Sequence, residues 1–185
     1  RDAEAMIVRS DKITPEVLDS AAKLRIIVRA GAGYDNIDLA TAKAHGVVVE
    51  NTPGQNSNAV AELAVAMMIF MSRNQFTPVS GSEISGKKLG IQAFGNVGRL
   101  VGKKAEALGM KVLAVDPFIP EERIAEAGAT PVSSVKELYS NSDFVSVHIP
   151  ATPETIGSIG YDLITSMPKG AVLVNTARKE VIDEA

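Results

Sequence analysis

The chain has 185 residues with 19 Lys and Arg against 22 Asp and Glu, a net charge of −3 whose two signs are interspersed, which speaks against the basic face of a nucleic-acid binder. Its 45% hydrophobic and 22% charged composition excludes a disordered chain; the longest nearly apolar run, Leu63 to Met71, is well short of the ~20 residues that cross a bilayer, and no basic-then-apolar leader opens the sequence. With no cysteine and two histidines, neither disulfides nor a metal site is expected, so the expectation is a soluble, cytoplasmic protein without a membrane partner, whose redox chemistry, if any, is borrowed from a cofactor.

In chain order, Ala5–Arg9 reads as a short buried strand, and Thr14-Pro15 opens a helix over Pro15–Lys23 with Thr as cap and Pro at the first turn. Strand Ile26–Arg29 runs into the glycine-rich loop Ala30-Gly31-Ala32-Gly33. Asp38 caps a helix that Gly46 ends, and strand Val47–Glu50 leads into the turn residues 51–58, where a domain boundary is expected. Asn56, Ser57 or Asn58 then caps a helix to about Arg73, apolar almost all round. It is either a core helix or one that packs on a second subunit.

After a polar stretch over 74–86 the pattern repeats: strand Lys88–Gln92, helix Val97–Leu108, strand Lys111–Val115, helix Glu121–Ala127, helix Val135–Tyr139, strand Phe144–Val147, helix Tyr161–Met167 and strand Ala171–Val174. This alternation predicts an α/β fold with doubly wound parallel sheets, in which ligands bind beyond the carboxyl ends of the strands. Neither half has enough strands to close its own sheet comfortably, and both ends look cut.

Ala93-x-Gly95-x-x-Gly98, where strand turns into helix, is a dinucleotide fingerprint with its first glycine replaced. Gly95 would admit a pyrophosphate to the helix amides, Gly98 would let helix and strand close up, and Ala93 must avoid a positive φ if the turn is to be unstrained. Asp116 follows Gly98 by eighteen residues, where an acid that binds the ribose hydroxyls of NAD is expected; the alternative is a strand-end turn residue before Pro117. Arg9, Arg29 and Arg178 lie at strand ends and read either as surface salt bridges or as forks for an anionic ligand. Arg29 favours the second reading, because the amides of the loop after it can form an anion nest. His45 reads as a partner for last-turn carbonyls, and His148, on the cofactor rim, has no partner nearby in sequence.

VRAGAGYDNIDL, NTPGQNSNAVAEL, LGIQAFGNVGR, AVDPF, VHIPATPET and NTARKEVIDEA together resemble, in order and over essentially all of the chain, the motifs of the D-isomer-specific 2-hydroxyacid dehydrogenases. The resemblance implies two Rossmann-like domains: residues 1–53 as part of a substrate-binding domain, incomplete here, and residues 54–185 as an NAD-binding domain. It implies that Arg178 grips the substrate carboxylate and polarises its C2 oxygen, and that Arg9, Arg29, Gly31, Ala32, Gly33 and Asn56 bind substrate. Gly95, Asn96, Val97, Gly98, Asp116, His148, Ile149, Pro150, Thr176 and Ala177 are implied to contact NAD, which makes His148 a cofactor neighbour. The expected reaction is hydride transfer from C2 of 3-phosphoglycerate to NAD; reduction of glyoxylate or hydroxypyruvate, and an NAD-responsive scaffold without catalysis, are the alternatives. Lys179-Glu180 departs from the glycines that often follow the arginine, as in short members of the family, whose acid/base residue and glutamate fall beyond residue 185. A homodimer or higher homo-oligomer is expected.

Overall fold

The computed structural model describes residues 2–184, which form two compact units, one up to Asn56 and the other from Ser57 on.

The first unit is a three-stranded parallel sheet, β1 (Ala5–Val8), β2 (Ile26–Arg29) and β3 (Val48–Asn51), in that order, with helices α1 (Pro15–Asp19) and α2 (Leu39–Ala44) in the connections. Alternate residues point to opposite faces, so Val8, Ile27 and Val49 pack with Leu18, Leu24, Ile37 and Ala42, while Ile7 stays 78% exposed. Asp38 caps α2 as predicted, its carboxylate accepting from the Thr41 N–H at 2.8 Å, and Gly46 ends it at φ +71°. The first helix is shorter than its expected Lys23 limit: the Ser20 hydroxyl bonds the Val17 carbonyl, and the chain then turns through Ala21 to bury Leu24. His45 binds Asp19 Oδ1 at 2.9 Å, where a last-turn carbonyl was expected, and so ties the end of α2 to the end of α1.

The second unit opens with α3 (Ser57–Ser72) and continues β4 (Lys88–Gln92), α4 (Asn96–Ala107), β5 (Lys111–Val115), α5 (Glu121–Glu126), β6 (Thr130–Pro131), α6 (Val135–Ser140), β7 (Phe144–Val147), α7 (Tyr161–Thr165) and β8 (Val172–Asn175). All five strands are parallel in the order β6-β5-β4-β7-β8. Ala61, Ala64 and Met68 of α3 pack with Leu89 and Ile91 of β4 and Val101 and Ala105 of α4; Leu138, Tyr139, Val145 and Val147 form a second cluster. Helices thus cover both faces, as a buried parallel sheet requires. The two-residue β6 had no signature in the sequence, because Pro131 is tolerated only where a strand lies at an edge.

Among the described residues no helix is long and apolar enough to cross a membrane, and no group of His, Asp and Glu could hold a metal ion.

Candidate functional site

In the second unit the chain order reverses at the neighbouring strands β4 and β7, since β5 lies on one side of β4 and β7 on the other. Such a switch point leaves a crevice beyond the carboxyl ends of the strands. The segments that follow β4, β5, β7 and β8 carry, respectively, Ala93 to Gly98, Asp116, His148 to Pro150, and Thr176 to Arg178. The fold therefore brings every candidate cofactor residue, with Arg178, to one edge of one sheet.

Gly95 is the N-cap of α4 and has no side chain to satisfy the amides of the first turn, so these remain available to an anion, reinforced by the helix dipole. A Cβ built on Gly95 meets nothing within 4 Å, whereas one built on Gly98 runs into the Ala93 carbonyl. Gly95 thus leaves space for a ligand, and Gly98 serves helix-to-strand packing. Ala93 does adopt a positive φ, +72°, contrary to the expectation drawn for an unstrained turn. Its backbone N–H donates to the Val115 carbonyl at 3.0 Å and its side chain joins the cluster of Leu138, Tyr139, Val145 and Val147. The surroundings hold the residue where local sterics would not.

Asp116 makes the turn contact that one reading of the sequence expected, and its geometry leaves the ribose reading open. Its Oδ1 accepts from the Phe118 N–H at 2.8 Å, the turn geometry, and its Oδ2 accepts from the Phe94 N–H at 2.8 Å, in the fingerprint loop itself. A carboxylate has about four acceptor positions, so roughly two remain for ribose hydroxyls. The residues present fit a dinucleotide: an open glycine, uncapped helix amides, and a fixed acid beyond the adjoining strand.

His148 follows β7 and has partners that sequence spacing did not reveal: Nε2 lies 2.9 Å from Ser146 Oγ and Nδ1 lies 3.4 Å from Thr176 Oγ1. Burial pushes its pKa down to about 4, so the ring is neutral near pH 7 and acts as a structural hydrogen-bonding group, in keeping with a cofactor neighbour. Tyr139 donates to Gln92 Oε1 at 2.8 Å, and burial pushes the tyrosine hydroxyl well above its ordinary range. In the last loop Asn175 Oδ1 accepts from the Ala177 N–H at 2.9 Å while Asn175 Nδ2 donates to the Arg178 carbonyl at 2.8 Å. This clamp was missed, although an Asn that bonds the amide two residues on is a common turn device.

In the first unit, Ala30 donates its N–H to the Val8 carbonyl and Val8 is in register with Arg29, so Arg9 and Arg29 lie at the same end of adjoining strands. Arg9 is exposed. Arg29 curls back over Gly31 so closely that a Cβ there would collide with the guanidinium, and Arg29 Nε is buried without a hydrogen-bond partner. An orphaned buried donor is costly unless something supplies the missing acceptor. Asn51, read in the sequence only as a turn residue, ends β3 and fixes the loop by donating to the Ala32 carbonyl at 2.7 Å. Asn56 is exposed at the end of this unit.

The model of the D-isomer specific 2-hydroxyacid dehydrogenase, NAD binding domain family matches residues 59–185. The chain is 39% identical over 198 aligned positions to the D-3-phosphoglycerate dehydrogenase of Methanocaldococcus jannaschii, covering 100% of this chain and 38% of that protein. It is also 39% identical over 199 positions to the hydroxypyruvate reductase of Thermotoga maritima, covering 99% and 63%. Among solved structures, the NAD+-bound 3-phosphoglycerate dehydrogenase of Entamoeba histolytica superposes with a TM-score of 0.91 at 48% identity, covering 98% of this chain and 58% of that one. The chain spans less than two thirds of the length of each of these relatives. It belongs to the D-isomer specific 2-hydroxyacid dehydrogenases, and residues 59–185 are their NAD binding domain.

Proposed function

We propose that the protein oxidises 3-phosphoglycerate at C2 with NAD, giving 3-phosphohydroxypyruvate, with residues up to Asn56 contributing to substrate binding and the unit from Ser57 binding the cofactor. The observation that carries the choice of a doubly anionic substrate is Arg29, whose buried Nε lacks an acceptor beside a loop with Gly31 and Gly33. Bound NAD supplies the hydride-accepting carbon of its nicotinamide. The amides of Asn96 and Val97 at the start of α4 hold the pyrophosphate, and Asp116 receives the ribose hydroxyls and repels a 2′-phosphate, which selects NAD over NADP. Arg178 orients the substrate carboxylate and stabilises charge growing on the C2 oxygen, with Asn175 holding its backbone. Arg9 and Arg29, with the amides of Gly31, Ala32 and Gly33, take the other anionic charge. The family pattern implies a separate base for the hydroxyl proton.

Reduction of hydroxypyruvate or glyoxylate is the second reading, favoured by the equal identity to the Thermotoga maritima reductase. NADH formation or consumption with each substrate separates the two. Under the first reading Arg29→Ala raises KM for 3-phosphoglycerate about 10–100-fold and that for glyoxylate far less, since it removes a charge-assisted contact worth about 1.5–3 kcal/mol. Equal changes for both substrates would overturn the assignment of a phosphate to this arginine.

We also propose a homodimer formed through α3. Leu63, Met67, Phe70 and Met71 recur on one side of the helix and are exposed, while Ala61, Ala64 and Met68 on another side are buried. An apolar stripe of this kind needs a partner.

A further inference from the structure

One peptide group governs the geometry of the fingerprint loop. The N–H of Phe94 and the carbonyl of Ala93 belong to the same peptide plane. The first donates to Asp116 Oδ2 at 2.8 Å, and the second lies against Gly98, the third residue of α4, so closely that any Cβ there would collide with it. Ala93, which precedes this plane, sits at φ +72°, a conformation that costs a non-glycine residue roughly 1–2 kcal/mol. Phe94 itself is anchored, its ring 1% exposed in the core shared with Val101 and Ala105 of α4. Asp116 is anchored too, because its other oxygen is held by the Phe118 amide at 2.8 Å. The carboxylate is therefore the fixed end of a chain of contacts: Asp116 to the 93–94 peptide, and that peptide to the first turn of α4.

We infer that Asp116 is a positioning residue for the phosphate cradle as well as a ribose acceptor: it locks the Ala93–Phe94 peptide in the orientation that sets where the amides of α4 begin. This role rests on the cofactor reading above only for its consequence, since the brace is made entirely by atoms of the chain itself. It also accounts for the alanine. A glycine at 93 would reach φ +72° without steric cost but would be free to leave it, whereas Ala93 packs against the cluster that contains Leu138 and Val145 and depends on the brace to stay in place. Recognition of the ribose and of the pyrophosphate are coupled through one carboxylate, so exchanging the acid to admit a 2′-phosphate disturbs the site for both.

A double-mutant cycle tests this with Asp116→Ala and Ala93→Gly, read out as the urea midpoint of the ligand-free protein and as NAD affinity by calorimetry. The brace predicts that Asp116→Ala lowers the midpoint without any ligand and weakens NAD about tenfold or more, the scale of a hydrogen bond to a charged group. Adding Ala93→Gly should return part of both losses, because the turn then no longer needs forcing. Asp116→Ala also removes the Phe118 contact, so the coupling between the two substitutions is the deciding quantity: if Asp116 did not brace the 93–94 peptide, they would add independently in the ligand-free midpoint and in NAD binding, and that additivity overturns the inference. Asp116→Asn, which keeps the shape but presents an amide to one of the two backbone N–H groups, gives the same comparison should the alanine variant not fold. A wild-type protein that fails to bind NAD would refute the cofactor reading, while the midpoints would still decide on the brace.

Discussion

At the scale of single residues, the three glycines around the fingerprint divide into different jobs that a sequence pattern lumps together. Gly95 has φ −73° and open space where a side chain would be, so Gly95→Ala should leave the urea midpoint of the ligand-free protein within ~0.5 kcal/mol of wild type. Its methyl would stand in the approach of the pyrophosphate, and NAD affinity measured by calorimetry should fall. Gly98→Ala should do both: the new carbon meets the Ala93 carbonyl, and overpacking of this kind costs about 1–3 kcal/mol. The atoms nearest a Cβ on Gly102 belong to the side chains of Ile91, Phe94 and Val112, the closest at 3.3 Å, and Gly102→Ala should be milder than Gly98→Ala in the same assay. Fingerprint, acid and arginine could be singled out from the sequence because each stands at a fixed offset from a strand end. The positive φ of Ala93 and the orphaned Nε of Arg29 were not, since both depend on atoms that approach through folding.

Among elements, α3 shows the difference between composition and burial. Its apolar residues occupy nearly the whole circumference, which left both a core helix and an interface helix open. The structure buries one side against β4 and α4 and exposes Leu63, Met67, Phe70 and Met71, with Phe70 in edge-to-face contact with Phe76 at a ring separation of 5.3 Å. Leu63→Glu should therefore leave the ligand-free fold intact, since Leu63 is 55% exposed, yet shift the sedimentation profile toward a monomer. A wild-type protein that sediments as a monomer would refute the dimer. Most strands and helices were legible because strands in a doubly wound fold are continuous apolar runs and several helices begin or end at recognisable residues, such as Asp38 and Gly46. Errors gathered at helix ends, as in α1 and α7, where one turn more or less changes few buried contacts, and at β6, whose existence depends on β5.

For the molecule as a whole, His148 ties stability to pH. Its folded pKa is lowered to about 4 from 6.5, so as pH falls through that window the unfolded chain takes up a proton that the folded protein refuses. Its contribution is therefore complete above pH 6.5 and is progressively lost toward pH 4, with a slope of at most about 1.4 kcal/mol per pH unit. His148→Gln, which keeps a hydrogen-bonding side chain but cannot titrate, should flatten urea midpoints across this range; an unchanged pH profile would show that the ring is not held neutral. The same burial makes the histidine a poor proton carrier near pH 7.

The amino-acid sequence alone determined the alternation of strands and helices, the loops that carry the candidate residues and the residue types within them. Apolar periodicity, caps and glycine offsets are written into a few neighbouring positions. Folding alone decided that β4 lies at the centre of its sheet, that Asp116 reaches back 22 residues to the Phe94 amide, that Tyr139 meets Gln92 across 47, and that His148 stays uncharged. These outcomes belong to contacts between distant segments, whose geometry and desolvation no short stretch of chain contains.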